Sequence, residues 1–222
     1  MQPYLFPYIG YFNLLSASDI FVFYDDVNFK KKSWINRNYI NYNGNKFLFT
    51  LPLEKASQNK KINEINIFDL ESFKKSFMKN LYFAYSKTSY YEDTISYIES
   101  VFSLDFPSIS NMCINSIILF CDYLNLQKTF YKSSILSPDS KNLEKSKRLI
   151  HIVNKLNSDT YINNESGSLL YNKDNFQRHN ISLEFVRPIF KEYKQSNEKL
   201  IFHRGLSIID LMMNLSKDQI LN

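Results

Sequence analysis

The chain has 222 residues and a 44% apolar composition, enough to bury one full core and too apolar for intrinsic disorder. Its net charge of +5 suits an anionic small molecule such as a sugar nucleotide and does not call for nucleic acid. It contains no uninterrupted apolar run of about 18 residues, the length of a membrane span, and no visible secretory signal, so a cytoplasmic setting is expected.

The opening Gln2-Pro3-Tyr4-Leu5-Phe6-Pro7-Tyr8-Ile9-Gly10-Tyr11 leads into a short helix at 11–17. Residues 20–24 (IFVFY) form a continuous apolar run, the mark of a buried parallel strand. A βα unit needs a strand before its turn, and residues 1–4 supply little of one. The natural reading frame is therefore expected to begin a few residues earlier. After Asp25-Asp26 comes a basic loop, then strands at 35–42 and 46–52. Between these, Asn43-Gly44 is a hairpin turn, because both residues tolerate positive φ. A further strand is expected at 62–68. Three helices follow at about 70–85, 89–103 and 108–125, with Phe73, Phe77, Leu81 and Tyr85 repeating at helical spacing. The last third alternates: strand 128–132, helix 142–156, strand 160–163, partial helix 169–179, strand 182–186 and helix 206–215. Alternation of this kind predicts an α/β fold with a mainly parallel, Rossmann-like sheet, a β-hairpin insertion and a helical segment at about 70–125, all in one domain.

Several constellations are able to carry chemistry. Gly10 before a helix lets backbone N–H groups approach a phosphate, although a tight turn explains it equally. Asp25 and Asp26 follow the apolar strand, where open α/β sheets place ligand-binding groups. Neighbours on an extended chain point to opposite sides, so one of the two is expected to face a site. Lys31, Trp34, Asn36 and Arg37 form a basic loop around the only Trp, suited to clamping phosphate and stacking a ring; a solvated loop is the plainer reading. Ser166-Gly167 ends a strand with groups able to meet an anion. Tyr193 and Gln195 precede Asp210, a carboxylate in an apolar helix that needs a partner if buried. His151, His179 and His203 are scattered, so no metal site is predicted. Cys113 and Cys121 lie in a helical stretch and read as buried thiols. No G-x-S-x-G elbow, P-loop or G-x-G-x-x-G appears.

The segments QPYLFPYIGYFNLL, DIFVFYDDVNFKKKSWINRN, FTLPLEKASQNKKINEI, EKSKRLI, LYNKDNF, EYKQ and LSIIDLMMN resemble the WbqC-like family over nearly the whole chain. Ser166-Gly167 departs from the Gly-Gly often found there. Members are commonly found among bacterial genes for O-antigen, capsule and related polysaccharide biosynthesis. The resemblance implies a transferase or amide-forming ligase that joins an acyl or aminoacyl group to the amine of a nucleotide-linked sugar, with ATP and Mg2+. The other reading is a non-catalytic accessory protein of the glycan pathway. The layout also resembles nucleotidylyl-transfer enzymes with an H-x-G-H motif, with Tyr8 and Tyr11 standing where the two His would be. On this reading Asp25, Asp26 and Tyr11 are catalytic. Gln2, Tyr8, Gly10, Lys31, Trp34, Asn36, Arg37, Ser166, Gly167, Tyr193 and Gln195 bind the substrate.

Overall fold

The computed structural model describes residues 1–104, 106–195 and 201–221. In chain order the elements begin with helix α1 (Ile9–Ser16), strand β1 (Ile20–Phe23) and the hairpin β2 (Arg37–Tyr42) and β3 (Asn45–Thr50). Helices α2 (Leu70–Tyr85), α3 (Tyr91–Phe102) and α4 (Ile109–Tyr123) follow. Then come β4 (Thr129–Lys132), α5 (Ser133–Leu136), α6 (Lys145–Lys155), β5 (Thr160–Asn164), α7 (Lys173–Gln177), β6 (Ser182–Val186), α8 (Ile208–Asn214) and α9 (Lys217–Leu221).

The α/β class holds, but no single parallel sheet forms among the described residues. β1 pairs with β4 in parallel, β5 with β6 in parallel, and β2 with β3 antiparallel, as three separate two-stranded sheets. A Rossmann-like layout needs β1 and β5 in one sheet, and a groove separates them. The hairpin turns on Asn43 and Gly44 at φ 50° and 73°, as the Asn-Gly pair requires. The strand expected at 62–68 is instead a 3-10 turn, Ile62–Glu64, with isolated bridges from Asn66 and Ile67. Ile62 and Ile65 are both fully buried at a spacing of three, which suits a turn and breaks the alternation of a strand.

The large core follows from helical periodicity. Phe73, Phe77, Leu81 and Tyr85 put one face of α2 inside, and Asp69 caps the helix by accepting from the Ser72 N–H at 3.2 Å. Helix α4 is buried on most sides, and both cysteines are buried and free. Burial pushes the Cys121 thiol up to about 12, so it stays protonated. Phe6 sits at the centre, with ring centroids of Phe49, Phe77, Tyr97 and Phe102 within 6.4 Å. Its φ of 45° is costly for a bulky residue and is held in place by its neighbours. Asn38 Nδ2 and Ser207 Oγ each donate to the Phe6 carbonyl at 2.8 Å, and the Ile208 N–H donates to the Pro7 carbonyl at 2.8 Å. A second, smaller core of Ile150, Val153, Phe176, Ile181 and Leu183 lies around β5 and β6.

Met1 joins the edge of β1. Its ammonium donates to the Val22 carbonyl at 2.8 Å, and its carbonyl accepts from the Tyr24 N–H at 2.8 Å. Burial lowers the ammonium from 8.0 to about 5.

Candidate functional site

The carboxyl ends of the four parallel strands gather the polar residues. Beyond β1, Asp25 is 2% exposed and fully engaged. Its Oδ1 accepts from the Ser134 N–H at 3.0 Å, and its Oδ2 accepts from Ser134 Oγ at 2.7 Å and Asn63 Nδ2 at 3.4 Å. The carboxylate thereby caps the start of α5. Ser133 Oγ lies 3.2 Å from Asp25 Oδ1 and 2.5 Å from Asp26 Oδ1. Asp26 also takes a 2.6 Å ion pair from Arg148 of α6. The Arg148 guanidinium stacks 4.5 Å from the centroid of Tyr24, and its Nε donates to Ser140 Oγ at 3.2 Å. One charged pair thus ties β1 to α6 and, through Tyr24, reaches the groove.

At the end of β5, Asn164 is 8% exposed, and its Oδ1 has no hydrogen-bond partner. Such an atom costs on the order of 1–3 kcal/mol unless something donates to it. Asn164 is one of the residues around an open cleft of about 490 Å3, with Tyr8, Glu165, Ser166, Ser168, Leu169 and Pro188. Tyr8 stands just before α1, and its ring lies over Gly10, where a Cβ would come within 2.3 Å of it. Gly167 is likewise crowded, since a Cβ there would meet the Asn163 side chain at 2.7 Å. Tyr8 and Ser166 therefore share a cleft, with Gly10 and Gly167 supporting them by close approach. Gly10→Ala should leave stability within about 1 kcal/mol, because a helix gains from Ala and the obstructing atoms are the far end of one side chain. It should still push Tyr8 off its position. Matched melting curves and a shift of the Tyr8 ring resonances would show both effects.

The basic loop lies in a different hydrogen-bond network. Arg37 donates to the carbonyls of Ser33 (3.1 Å) and Lys32, and its guanidinium carbon is 5.6 Å from the Trp34 ring centroid. Trp34 is 44% exposed and packs 5.7 Å from Tyr39. Lys31 is exposed. Asn36 is buried and donates to the Leu51 carbonyl at 2.7 Å, bracing the hairpin. This loop and the cleft are linked through one segment: Tyr8 bridges to Ser207, whose N–H donates to the Tyr39 carbonyl at 2.8 Å. Tyr11 is fully buried and donates to the Gln2 carbonyl at 3.1 Å, and burial raises its pKa well above the usual tyrosine value. Tyr193 donates to Asp210 Oδ2 at 2.5 Å, and Gln195 Nε2 donates to the His203 carbonyl at 2.9 Å.

A family model described as the WbqC-like protein family matches residues 2–221. The chain belongs to the WbqC-like family. A mycobacterial relative, the uncharacterized protein Rv1507c of Mycobacterium tuberculosis (strain ATCC 25618 / H37Rv), is 24% identical over 98% of this chain and 93% of its own length. No solved structure matches. Against this WbqC-like framework, sequence reasoning missed Arg148, Asn164 and the Ser133-Ser134 pair. Arg148 carried a weak signal: it adjoins the apolar Leu149 and Ile150 on the amphipathic helix. Among the described residues no three His, Cys, Asp or Glu side chains form a metal cluster, and both Asp25 and Asp26 are committed to donors. The carboxylates here do not fit a Mg2+ site of their own, and no step below is routed through a metal ion. No described helix is long and apolar enough to cross a membrane.

Proposed function

We propose that this WbqC-like protein modifies a nucleotide-linked amino sugar used in surface-glycan synthesis. The sugar would lie in the Tyr8–Asn164–Ser166 cleft at the carboxyl ends of the parallel strands. The observation that carries the reading is the buried, unpartnered Asn164 Oδ1 at that edge, where parallel sheets bind ligands. A sugar amine or hydroxyl supplies the missing donor. Tyr8 and Ser166 add hydroxyls, and Trp34 and Arg37 offer a ring and a cation for the nucleotide along the linked Gln2–Tyr8 segment. Asp26, held by Arg148 and Ser133 Oγ, has the role of orienting the amine. The reaction joins the amine nitrogen to the carbonyl carbon of an acyl donor activated by ATP. The activating phosphate group leaves that carbon, and one amine proton passes to a base.

A second reading, a binding protein without turnover, draws on Asp25. Four donors surround that carboxylate, which suits a structural brace. Incubation with ATP, amino acids and amino-sugar nucleotides, followed by mass spectrometry, separates the two. The proposal expects a sugar nucleotide heavier by one acyl or aminoacyl group. Binding with no mass change across the panel would leave the accessory reading in its place.

A further inference from the structure

We infer that a second cavity, set off from the Asn164 cleft by the stacked rings of Tyr8 and Phe190, binds a carboxylic acid with a short branched or aromatic tail. Tyr8 lines the cleft and Phe190 lines the cavity, with ring centroids 6.1 Å apart. The cavity has a volume of about 150 Å3 and lies between α1, the segments 189–193 and 202–206, and the α8–α9 corner. Helix α1 turns Ile9 and Asn13 toward it, one helical turn apart. Asn13 Oδ1 accepts from the Ile189 N–H at 2.8 Å, which ties the 189–193 segment to that helix. Across the cavity, Leu211 and Leu215 stand four residues apart at the end of α8. The start of α9 is capped reciprocally: the Ser216 N–H donates to Gln219 Oε1 at 2.9 Å, and the Gln219 N–H donates to Ser216 Oγ at 3.3 Å. This places Ile220 in the wall. The protein leaves Ile9, Phe190, Leu211, Leu215 and Ile220 only half-buried, and an apolar guest would complete their burial.

Size and charge name the guest. An apolar cavity of roughly this volume accepts a molecule the size of benzene, so the tail has about five or six carbons. Ligand sites of this kind combine an apolar lining with a few polar groups that fix orientation. Here Lys191 is the exposed cation on the lining, and among the described residues it forms no ion pair. The neighbouring polar groups are already engaged. The Tyr193 hydroxyl donates to Asp210 Oδ2, the His203 N–H donates to Gln195 Oε1, and His203 Nε2 lies 3.0 Å from the Gly44 carbonyl. A carboxylate head therefore pairs with Lys191, and the tail lies against Leu211 and Leu215. Pro188 lines the cleft and Ile189 lines the cavity, so consecutive residues serve both. In the proposed reaction this acid supplies the transferred acyl group. That role rests on the proposed function; the binding site does not.

The test titrates the full chain with acetate, isocaproate and isocaproamide and follows the methyl resonances of Ile9, Leu211 and Leu215. Isocaproate should shift these methyls and bind about 30-fold more tightly than acetate or better, since each buried CH2 contributes about three- to fourfold. The uncharged amide should bind about threefold more weakly than the acid, the worth of one exposed charge pair. Lys191→Gln, a change at an exposed side chain, should remove that difference and leave the amide's affinity as it was. Acetate binding as tightly as isocaproate would overturn the inference. So would wild-type protein that binds amide and acid alike, or titrations that leave the three methyls unmoved, which would make the cavity a packing gap. Isocaproate binding here without any acylated sugar in the mass assay would uphold the site and count against the proposed reaction. An acylated product with no binding here would do the reverse.

Discussion

Arg148→Ala should destabilise the folded protein by about 3–5 kcal/mol, because it strands the Asp26 carboxylate in a nearly dry site. The two side chains are 4% and 12% exposed, and the remaining donor to Asp26 is Ser133 Oγ at 2.5 Å. The substitution also removes the guanidinium that stacks on Tyr24, so packing is lost together with charge. A total stability of about 5–15 kcal/mol makes this a large fraction. Arg148→Lys should recover part of it, keeping the charge and losing the planar stack. If the loss comes from an uncompensated charge, the double variant Asp26→Leu with Arg148→Met should be more stable than Arg148→Ala alone. Urea unfolding of the set measures this. A cost under about 1 kcal/mol for Arg148→Ala would mean that the pair is solvated and does not tie β1 to α6.

Asp210→Ala should cost a similar amount for a different reason. Tyr85 and Tyr193 each donate to this fully buried carboxylate at 2.5 Å, and the Asn41 N–H donates to the Tyr85 hydroxyl at 2.8 Å. Truncation orphans two phenol hydroxyls at about 1–3 kcal/mol each, and also opens a cavity. Asp210→Asn keeps the shape and should cost less. Burial raises the Asp210 carboxyl pKa, against the opposing effect of its hydrogen bonds from Tyr193 and Tyr85. The folded protein therefore keeps the proton longer than the unfolded chain does. This residue alone makes stability fall as pH rises above the unfolded value of 3.8, until the folded carboxyl ionises. Asp210→Asn should remove that slope, and the difference between the two unfolding profiles in the acid range is the measurement. Because Tyr193 leads to Gln195 and His203, the Ala variant should also loosen the segment that holds Gly44 through His203 Nε2 at 3.0 Å.

These networks mark the boundary of what the sequence discloses. Periodicity places α2 because Phe73 to Tyr85 repeat every four residues, and Asn43-Gly44 fixes the hairpin because its two φ values must be positive. Local rules of that kind need no partner. The partner of Asp26 lies 122 residues away, and that of Tyr85 lies 125 residues away. No local pattern specifies such pairings. The need for a partner at Asp210 is readable from an Asp in an apolar helix; its identity is not. Phe6 at positive φ escapes sequence reading as well, since only its tertiary ties to Asn38 and Ser207 make that conformation affordable. The strand misassigned at 62–68 shows the same limit, because Ile62, Ile65 and Ile67 satisfy an apolar count without a strand's alternation. The candidate site was legible as an edge, through Asp25, Asp26 and Ser166-Gly167 after apolar strands. Which of its atoms lacks a partner was not.

That atom gives the most direct test of the proposed function. Calorimetric titration of nucleotide-linked amino sugars should find one that binds the wild-type protein. Asn164→Ala should weaken its binding roughly 10- to 100-fold, the equivalent of one hydrogen bond to a charged amine. Melting behaviour should change little, since Asn164 Oδ1 has no bond within the protein to lose. A wild-type protein that binds none of the panel, or an Asn164→Ala variant that binds as tightly as wild type, would contradict the account.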